Sequence, residues 1–526
     1  MGWFDRNEVV RVRRIVVALV LVQVAAVWPA ARPGNAAQAA PAATATSVQA
    51  DFNNDGAADL AVGVPTERVG SIDRAGAVNV LYGSADGLTG AGSQQFTQDT
   101  PGVVGGAEPG DDFGDAVAAG DFDNDGFADL AVGVGAEDVG AVGDAGAVNV
   151  LYGSAGGLRA DAGSQLFSQV AGAVEGGDFF GVALVAGDFD NDGFADLAAG
   201  APLEDVATAA DAGAVSVLYG SAGGLTTTGG RLFTQVGGTV EAWDFFGVAL
   251  AAGDFDNDGF ADLAAGAPLE DVGTATDAGA VSEIPGSPSG LTNSGGRLFT
   301  QVAGTVENGD RFGAALASGD FDNDGFADLA AGAPIEDVAT AGDAGAVSEI
   351  PGSASGLTTS GAQIHTERSF TGPQESDHFG FALASGDFNG DGFADLAVGI
   401  PLENIEPPPI TIGDVGAVNV FSGTATGLFA TFEDQHNQPS NPERGDRFGT
   451  AVAAGDFNSD GAADLAAGAP LEDVGTMVNA GAVSVLYGPV IGLSSETFTQ
   501  DTAGVAGRAE PEDRFGAALA VGDPAP

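Results

Sequence analysis

Residues 253–268 read GDFDNDGFADLAAGAP, which places Asp254, Asp256, Asp258 and Asp262 within nine residues. Two carboxylates a few ångströms apart repel by about 1 kcal/mol in water and about 4 kcal/mol at an intermediate dielectric. The stretch therefore needs something that neutralises it. Acids stand at positions 1, 3, 5 and 9 of the loop, and Gly259 at position 6 permits a tight turn. These oxygens can converge on one hard cation. Calcium accepts six to eight oxygens at about 2.3–2.6 Å, so a backbone carbonyl at position 7 and a water would complete the shell. An EF-hand would need a bidentate Glu at position 12, where this stretch has Ala265, and no helical periodicity flanks it. Magnesium holds its waters more tightly, and zinc or copper would call for His or Cys. The chain has three His and no Cys.

The loop recurs seven times, with its first aspartate at spacings of 70, 67, 66, 66, 67 and 69 residues. The predicted ligand sets are Asp51, Asn53, Asp55, Ala57 and Asp59; Asp121, Asp123, Asp125, Phe127 and Asp129; and Asp188, Asp190, Asp192, Phe194 and Asp196. They continue with Asp254, Asp256, Asp258, Phe260 and Asp262, then Asp320, Asp322, Asp324, Phe326 and Asp328. The last two are Asp387, Asn389, Asp391, Phe393 and Asp395, and Asp456, Asn458, Asp460, Ala462 and Asp464. In each set the position-7 residue offers its carbonyl. Asn53, Asn389 and Asn458 keep an oxygen but drop one charge, so loops 1, 6 and 7 are expected to bind more weakly. A plain acidic turn would not require the ninth-position Asp seven times over. About one Ca²⁺ per unit, up to seven, would offset part of a formal charge of -58.

Each unit has further fixed parts. A Phe-Gly pair precedes the loop at Phe113, Phe180, Phe246, Phe312, Phe379, Phe448 and Phe515. A Gly-x-Pro-like corner follows it, as in GAP at 200–202 and 266–268, and then a run such as AGAVSVLYGS at 212–221. The pattern predicts four short strands per unit, an all-β fold of blade-sized repeats. Ala and Gly crowd the first two strands, which suits sheets converging on an axis. Units start near residues 47, 113, 180, 246, 312, 379 and 448. Asp51 has no Phe-Gly before it, and FGAALAVGD at 515–523 has no loop after it. If that last strand completes the first blade, seven four-stranded blades close into a β-propeller with no open sheet edge. The competing expectation is an eighth unit cut short.

Phe-Gly, DxDxDGxxD and GAP in this order, seven times over residues 45–523, resemble the FG-GAP repeats of integrin alpha-subunit β-propellers and their bacterial relatives. The resemblance implies calcium-binding strand-to-strand hairpins on one face. It places partner contacts on the opposite face, in loops such as PLEDVGTATDAG (268–279), where Glu204, Asp205, Glu270, Asp271, Glu336, Asp337, Glu472 and Asp473 could form an acidic rim or cap turns.

The rest of the chain bounds the function. Strong negative charge argues against nucleic acid and anionic membrane as partners. With 44% apolar residues and patterned acids the chain does not read as disordered. MGWFDRNEVVRVRR (1–14) followed by the 13-residue apolar run IVVALVLVQVAAV (15–27) predicts an export signal over residues 1–40, the run being short for a membrane span. The mature chain from residue 41 is thus expected to be secreted or held at a cell surface, monomeric, and not inserted in a membrane. An uncleaved anchor is the alternative. Lack of Cys and of N-x-Ser/Thr departs from an animal integrin subunit and points to a bacterial protein. Arg444-Gly445-Asp446 spells an adhesive tripeptide but is one variant of a recurring ExGDxFG link, and His365, His378 and His436 lack any ligand spacing. Glu283-Ile-Pro285 and Glu349-Ile-Pro351 replace Val-Leu-Tyr in two third strands, which are expected to be shortened or bent. No nucleophile elbow, zinc-protease or phosphate-loop motif occurs. The expectation is a non-catalytic binding or adhesion scaffold whose partner is an extracellular protein or glycan. The alternative is a polysaccharide-acting enzyme or lectin on the same propeller.

Overall fold

On either side of the third acidic loop, Ala183–Gly187 and Asp196–Ala201 pair antiparallel with every residue buried. The computed structural model describes residues 50–521 apart from 161–162, 171, 303, 368–371, 406–411, 430–434, 490 and 492–493. The predicted export signal lies outside the described residues.

Seven sheets of four antiparallel strands follow one another along the chain. Blade two is Phe113–Gly120, Asp129–Val134, Ala147–Leu151 and Gln165–Phe167; blade three adds Ala214–Tyr219 and Thr226–Phe233 to the hairpin above. Blade four is Leu250–Gly253, Asp262–Ala267, Ala280–Ile284 and Arg297–Phe299; blade five is Ala315–Gly319, Asp328–Ala333, Ala346–Ile350 and Gln363–His365. Blade six is Ala382–Gly386, Asp395–Ile400, Ala417–Phe421 and Gln435–Asn437; blade seven is Val452–Gly455, Asp464–Ala469, Ala482–Leu486 and Ser495–Phe498. Blade one takes Leu60–Val64, Ala77–Tyr82 and Thr89–Phe96 from one end of the chain and Ala518–Ala520 from the other, paired Ala61 to Ala520 and Gly63 to Ala518. The strand at 518–520 therefore completes the first blade, and first strands of successive blades touch all the way round. The fold is a closed seven-bladed β-propeller.

Glycine explains how closely the blades approach. A Cβ added to Gly266, in the GAP corner of blade four, would lie 2.0 Å from the carbonyl oxygen of Gly313, in the Phe-Gly pair of blade five. The same corner accepts at its own carbonyl the N–H of Gly247, at 2.8 Å, from its own blade. The equivalent approach at Gly63, Gly133, Gly200, Gly332, Gly399 and Gly468 is 2.0–2.2 Å, and Gly468 makes it with Gly516, just before the closing strand. The phenylalanines of these pairs are fully buried, and their N–H groups bond to the previous blade, Phe312 to the Ala278 carbonyl at 2.9 Å for example. This corrects one expectation. The Phe-Gly pair is not the start of the first strand except in blade two, where the register slips between Phe113 and Val117. Its backbone is taken up by the neighbouring blade and the GAP corner instead of the ladder.

The Glu-Ile-Pro strands are not shortened. Ala280–Ile284 and Ala346–Ile350 run five residues, as Ala147–Leu151 does, and the prolines fall just beyond them. Their Glu also has a role. In other blades a third-strand tyrosine hydroxyl accepts a backbone N–H from the next blade: Leu158 to Tyr82 at 3.2 Å, Leu225 to Tyr152 at 3.3 Å. Where proline replaces that tyrosine, the carboxylate of Glu283 accepts the N–H of Leu357 at 3.1 Å, and Glu349 accepts that of Leu428 at 3.2 Å. Glu349 also meets buried His365, Oε2 to Nε2, at 2.7 Å.

Two substitutions test these contacts by thermal and denaturant melting. Gly266→Ala is expected to cost about 2–4 kcal/mol, because two backbones must move apart, whereas Gly106→Ala, with nothing within 4 Å, stays within about 0.5 kcal/mol. Glu283→Ala strands the Leu357 N–H and should cost about 1–3 kcal/mol, while Glu283→Gln retains an acceptor and loses less.

Candidate metal centres

Each acidic loop joins the first strand of a blade to its second. Asp262, at position 9, is 2% exposed, and its two oxygens accept the N–H of Phe255 at 3.0 Å and of Gly286 at 2.8 Å. One carboxylate thus ties the loop to the end of the third strand. The same pair of bonds forms at Asp59, Asp129, Asp196, Asp328, Asp395 and Asp464. Burial pushes Asp262 up to about 8, against the pull of those N–H groups, and Asp395 and Asp464 up to about 7. At position 1, Asp254 accepts the N–H groups of Asp258 at 3.0 Å and Gly259 at 2.9 Å, which fixes the turn. Phe255, at position 2, is fully buried and anchors the loop.

Three of the four predicted side-chain positions converge. Oxygens of Asp121, Asp123 and Asp129 lie within 4.8 Å of one another, as do those of Asp188, Asp190 and Asp196, of Asp254, Asp256 and Asp262, and of Asp320, Asp322 and Asp328. These groups could hold a metal ion. Buried Oδ1 atoms of Asp123, Asp190 and Asn53 have no hydrogen-bond partner. The position-5 acid stands outside these threesomes: Asp258 Oδ1 accepts the N–H of Phe260 at 3.1 Å, and Asp125, Asp192 and Asp324 do the same at position 7. In two of the three asparagine loops the amide takes a different part. Asn389 Nδ2 donates to Asp395 Oδ1 at 3.3 Å, and Asn458 Nδ2 to Asp464 Oδ1 at 3.5 Å. Sequence alone does not separate this role from that of a ligand.

The loops also bond to one another. The position-8 N–H of each donates to the position-1 carbonyl of the loop before it, from Ala128 to Asp51 at 3.2 Å round to Ala58 to Asp456 at 2.9 Å. This seven-bond belt closes where the two chain ends meet.

A second set of acids sits at the other ends of the strands, between blades, and its pattern escaped the sequence reading. Gln98, Gln438 and Gln500 donate to Glu137, Glu472 and Glu67 of the next blade at 2.6–2.8 Å. Gln169, Gln235 and Gln301 stand beside Glu204, Glu270 and Glu336 at three further junctions. The predicted acidic rim is thus half wrong. Its glutamates are buried at blade junctions, while Asp205, Asp271, Asp337 and Asp473 cap turns by accepting N–H groups six residues on. Beside each glutamate lies a buried aspartate of the ExGDxFG link, such as Asp310, whose Oδ2 accepts the N–H of Glu307 at 2.6 Å. Asp446, the third residue of the adhesive-looking tripeptide, is one of these, 2% exposed and bonded to the Glu443 N–H. It cannot be presented to a partner in this fold. The three histidines serve separate places, His365 in the fourth strand of blade five against Glu349, His436 in the fourth strand of blade six, and His378 in the link between those blades.

The repeat is recognised independently. The FG-GAP repeat family model matches residues 43–81, 113–151, 180–218, 246–283, 312–349, 379–421 and 448–486. The chain belongs to the FG-GAP repeat family. Integrin alpha-PS5 of Drosophila melanogaster is 35% identical over 163 residues, 30% of this chain and 15% of that protein. Phosphatidylinositol-glycan-specific phospholipase D of Rattus norvegicus is 34% identical over 158 residues, 30% of this chain and 18% of that one. This FG-GAP chain therefore spans under a fifth of the length of these relatives. Among solved structures, exotype rhamnogalacturonan lyase YesX aligns over 84% of this chain and 59% of its own at 12% identity and a TM-score of 0.33.

Junction carboxylates make stability fall as pH rises. Glu336 faces Gln301, Asp310, Glu307 and Asp337, and burial first, then the neighbouring acids, pushes it up to about 7. A folded-state value above the unfolded one, about 4.3, contributes stability fully below pH 4, and that stability is lost as pH rises through 7. Glu336→Gln should therefore flatten the fall in melting temperature between pH 5 and 9 relative to the parent chain in the same buffer. Parallel curves would refute this.

Proposed function

We propose that this FG-GAP propeller is a calcium-stabilised, non-catalytic binding scaffold that works outside the cytoplasm. The observation that carries the reading is the convergence of three carboxylates in each of four loops, with buried oxygens at position 3 that lack a hydrogen-bond partner in two of them. Three oxygens within 4.8 Å suit an ion that coordinates at about 2.4 Å, and an all-oxygen set suits calcium. Positions 1, 3 and 9 would supply the side-chain ligands, with position 5 and the position-7 carbonyl completing the shell as calcium draws the loop in. Calcium would compensate the buried charge that otherwise raises these carboxylates, so that binding is coupled to folding. Loops 6 and 7 would bind more weakly, since each amide must first leave its aspartate.

The belt of acidic loops occupies one face of the ring, so partner binding falls to the other. There the second-to-third strand loops and the inter-blade links meet, as where the Trp243 N–H donates to the Ala210 carbonyl at 2.9 Å. Trp243 (49% exposed) and Val478 (51%) lie in these loops and offer apolar contact area. A monomeric, secreted or surface-held propeller fits this division of faces, and a protein or glycan outside the cell is the partner class. No helix among the described residues is long and apolar enough to cross a membrane.

Calcium titration tests the metal and differential scanning calorimetry its consequence. At a hundred-fold excess over Kd each site adds about 2.7 kcal/mol, so saturating calcium should raise the melting temperature by at least roughly 10 °C over chelator. Asp262→Asn should remove about one site's share. An identical melt in both buffers would end the calcium reading. Calcium-dependent release of reducing sugar from polysaccharides would end the non-catalytic one.

A further inference from the structure

Six of the seven blade junctions share one buried arrangement, and the seventh breaks it. At six, a glutamine of one blade faces a glutamate of the next, with an aspartate beside them: Gln98 with Glu137 and Asp111, Gln500 with Glu67 and Asp513, and likewise elsewhere. At Gln98, Gln438 and Gln500 the amide donates to the facing glutamate. Between blades five and six the glutamine is replaced by Glu367, which faces Glu403 and Asp377. That single change removes the donor and adds a third carboxylate. Oxygens of all three lie within 4.8 Å of one another. Glu367 is 2% exposed, Asp377 0% and Glu403 4%.

We propose that Glu367, Asp377 and Glu403 bind one hard divalent cation, at a site distinct from the acidic hairpins and at the opposite end of the blades.

Two observations point there besides the clustering. Asp377 is fully buried: Oδ2 accepts the Gln374 N–H at 2.8 Å, the carboxyl lies within hydrogen-bond reach of Glu367 and Glu403, and Oδ1 receives no donor group. Gln435 Nε2 reaches Glu367 Oε1 at 3.5 Å. The second observation is internal to the chain. Six copies carry a glutamine at this position, its amide donating to the facing glutamate in three of them, and the seventh replaces it with an acid. Burying a third carboxylate beside two others costs far more than leaving a neutral hydrogen bond unmade. A cation that accepts three carboxylate oxygens at once restores the balance. The ligand set is all oxygen, which favours calcium, manganese or magnesium over zinc or copper. An oxygen separation of up to 4.8 Å matches twice a Ca–O distance of about 2.4 Å. Such an ion would bridge blades five and six, since Glu367 follows the fourth strand of one and Glu403 follows the second strand of the other.

Glu367→Gln is the decisive variant, because it installs the residue that the other six junctions carry and should fold. Native mass spectrometry of the full chain, with Ca²⁺ and with Mn²⁺, counts bound ions directly. The variant should hold one ion fewer than the parent chain, and Asp377→Asn should do the same. In chelator Glu367→Gln should melt higher than the parent, having lost a buried charge, and saturating Ca²⁺ should narrow or reverse that gap. Equal ion counts in parent and variant would overturn the site. So would a melting difference that calcium leaves unchanged, which would mean that protons alone settle the cluster. Failure of the hairpin reading is separable: the parent would then hold a single ion, still removed by Glu367→Gln.

Discussion

Everything in this ring hangs on a buried carboxylate with two backbone N–H groups on it. Asp262 and its six counterparts each hold the start of the acidic loop and the end of the third strand with one side chain. No neutral residue of the same size accepts so strongly at both oxygens, so the position is fixed as Asp. The cost is a negative charge in a place with little water, visible in values raised to about 7 or 8. Two further carboxylates then enter the same few ångströms. The loop is locally well bonded and electrostatically unfinished, which is what the proposed cation would complete.

The other constraint is backbone against backbone. GAP and Phe-Gly carry small residues because the carbonyl of one blade's Phe-Gly glycine stands where a side chain on the previous blade's GAP glycine would be. Each contact involves two successive blades, so the packing is continuous only if the ring closes. Gly468 meeting Gly516, Gln500 meeting Glu67 and Ala58 meeting Asp456 are the three kinds of interblade contact repeated at the seam. The closing strand is joined by the same chemistry as every other junction, and in that sense there is no seam.

Repetition also makes the chain its own control. Tyr82 and Tyr152 show what a third strand offers the next blade, and Glu283 and Glu349 show that a carboxylate two residues earlier meets the same N–H when proline takes the tyrosine's place. Six Gln–Glu junctions show in the same way what Glu367 alters. Variation that looks like drift along one dimension is compensated across the blade interface.

The sequence by itself determined the repeat, the strand count, the closing of blade one by residues near 518 and the acidic positions 1, 3, 5 and 9, because these follow from local spacing that recurs seven times; that 1, 3 and 9 converge while 5 stands apart came from the structure. It misplaced what depends on neighbours in space. Phe-Gly looked like a strand start, yet its N–H groups belong to another blade. Glu270 and Glu336 looked like a solvent rim, since nothing local distinguishes an exposed ED pair from one whose glutamate is buried against a glutamine about 35 residues earlier. Only the tertiary structure decided those cases, and it alone gathered Glu367, Asp377 and Glu403. Burial and charge compensation are properties of the interface between blades, and no single blade contains that interface.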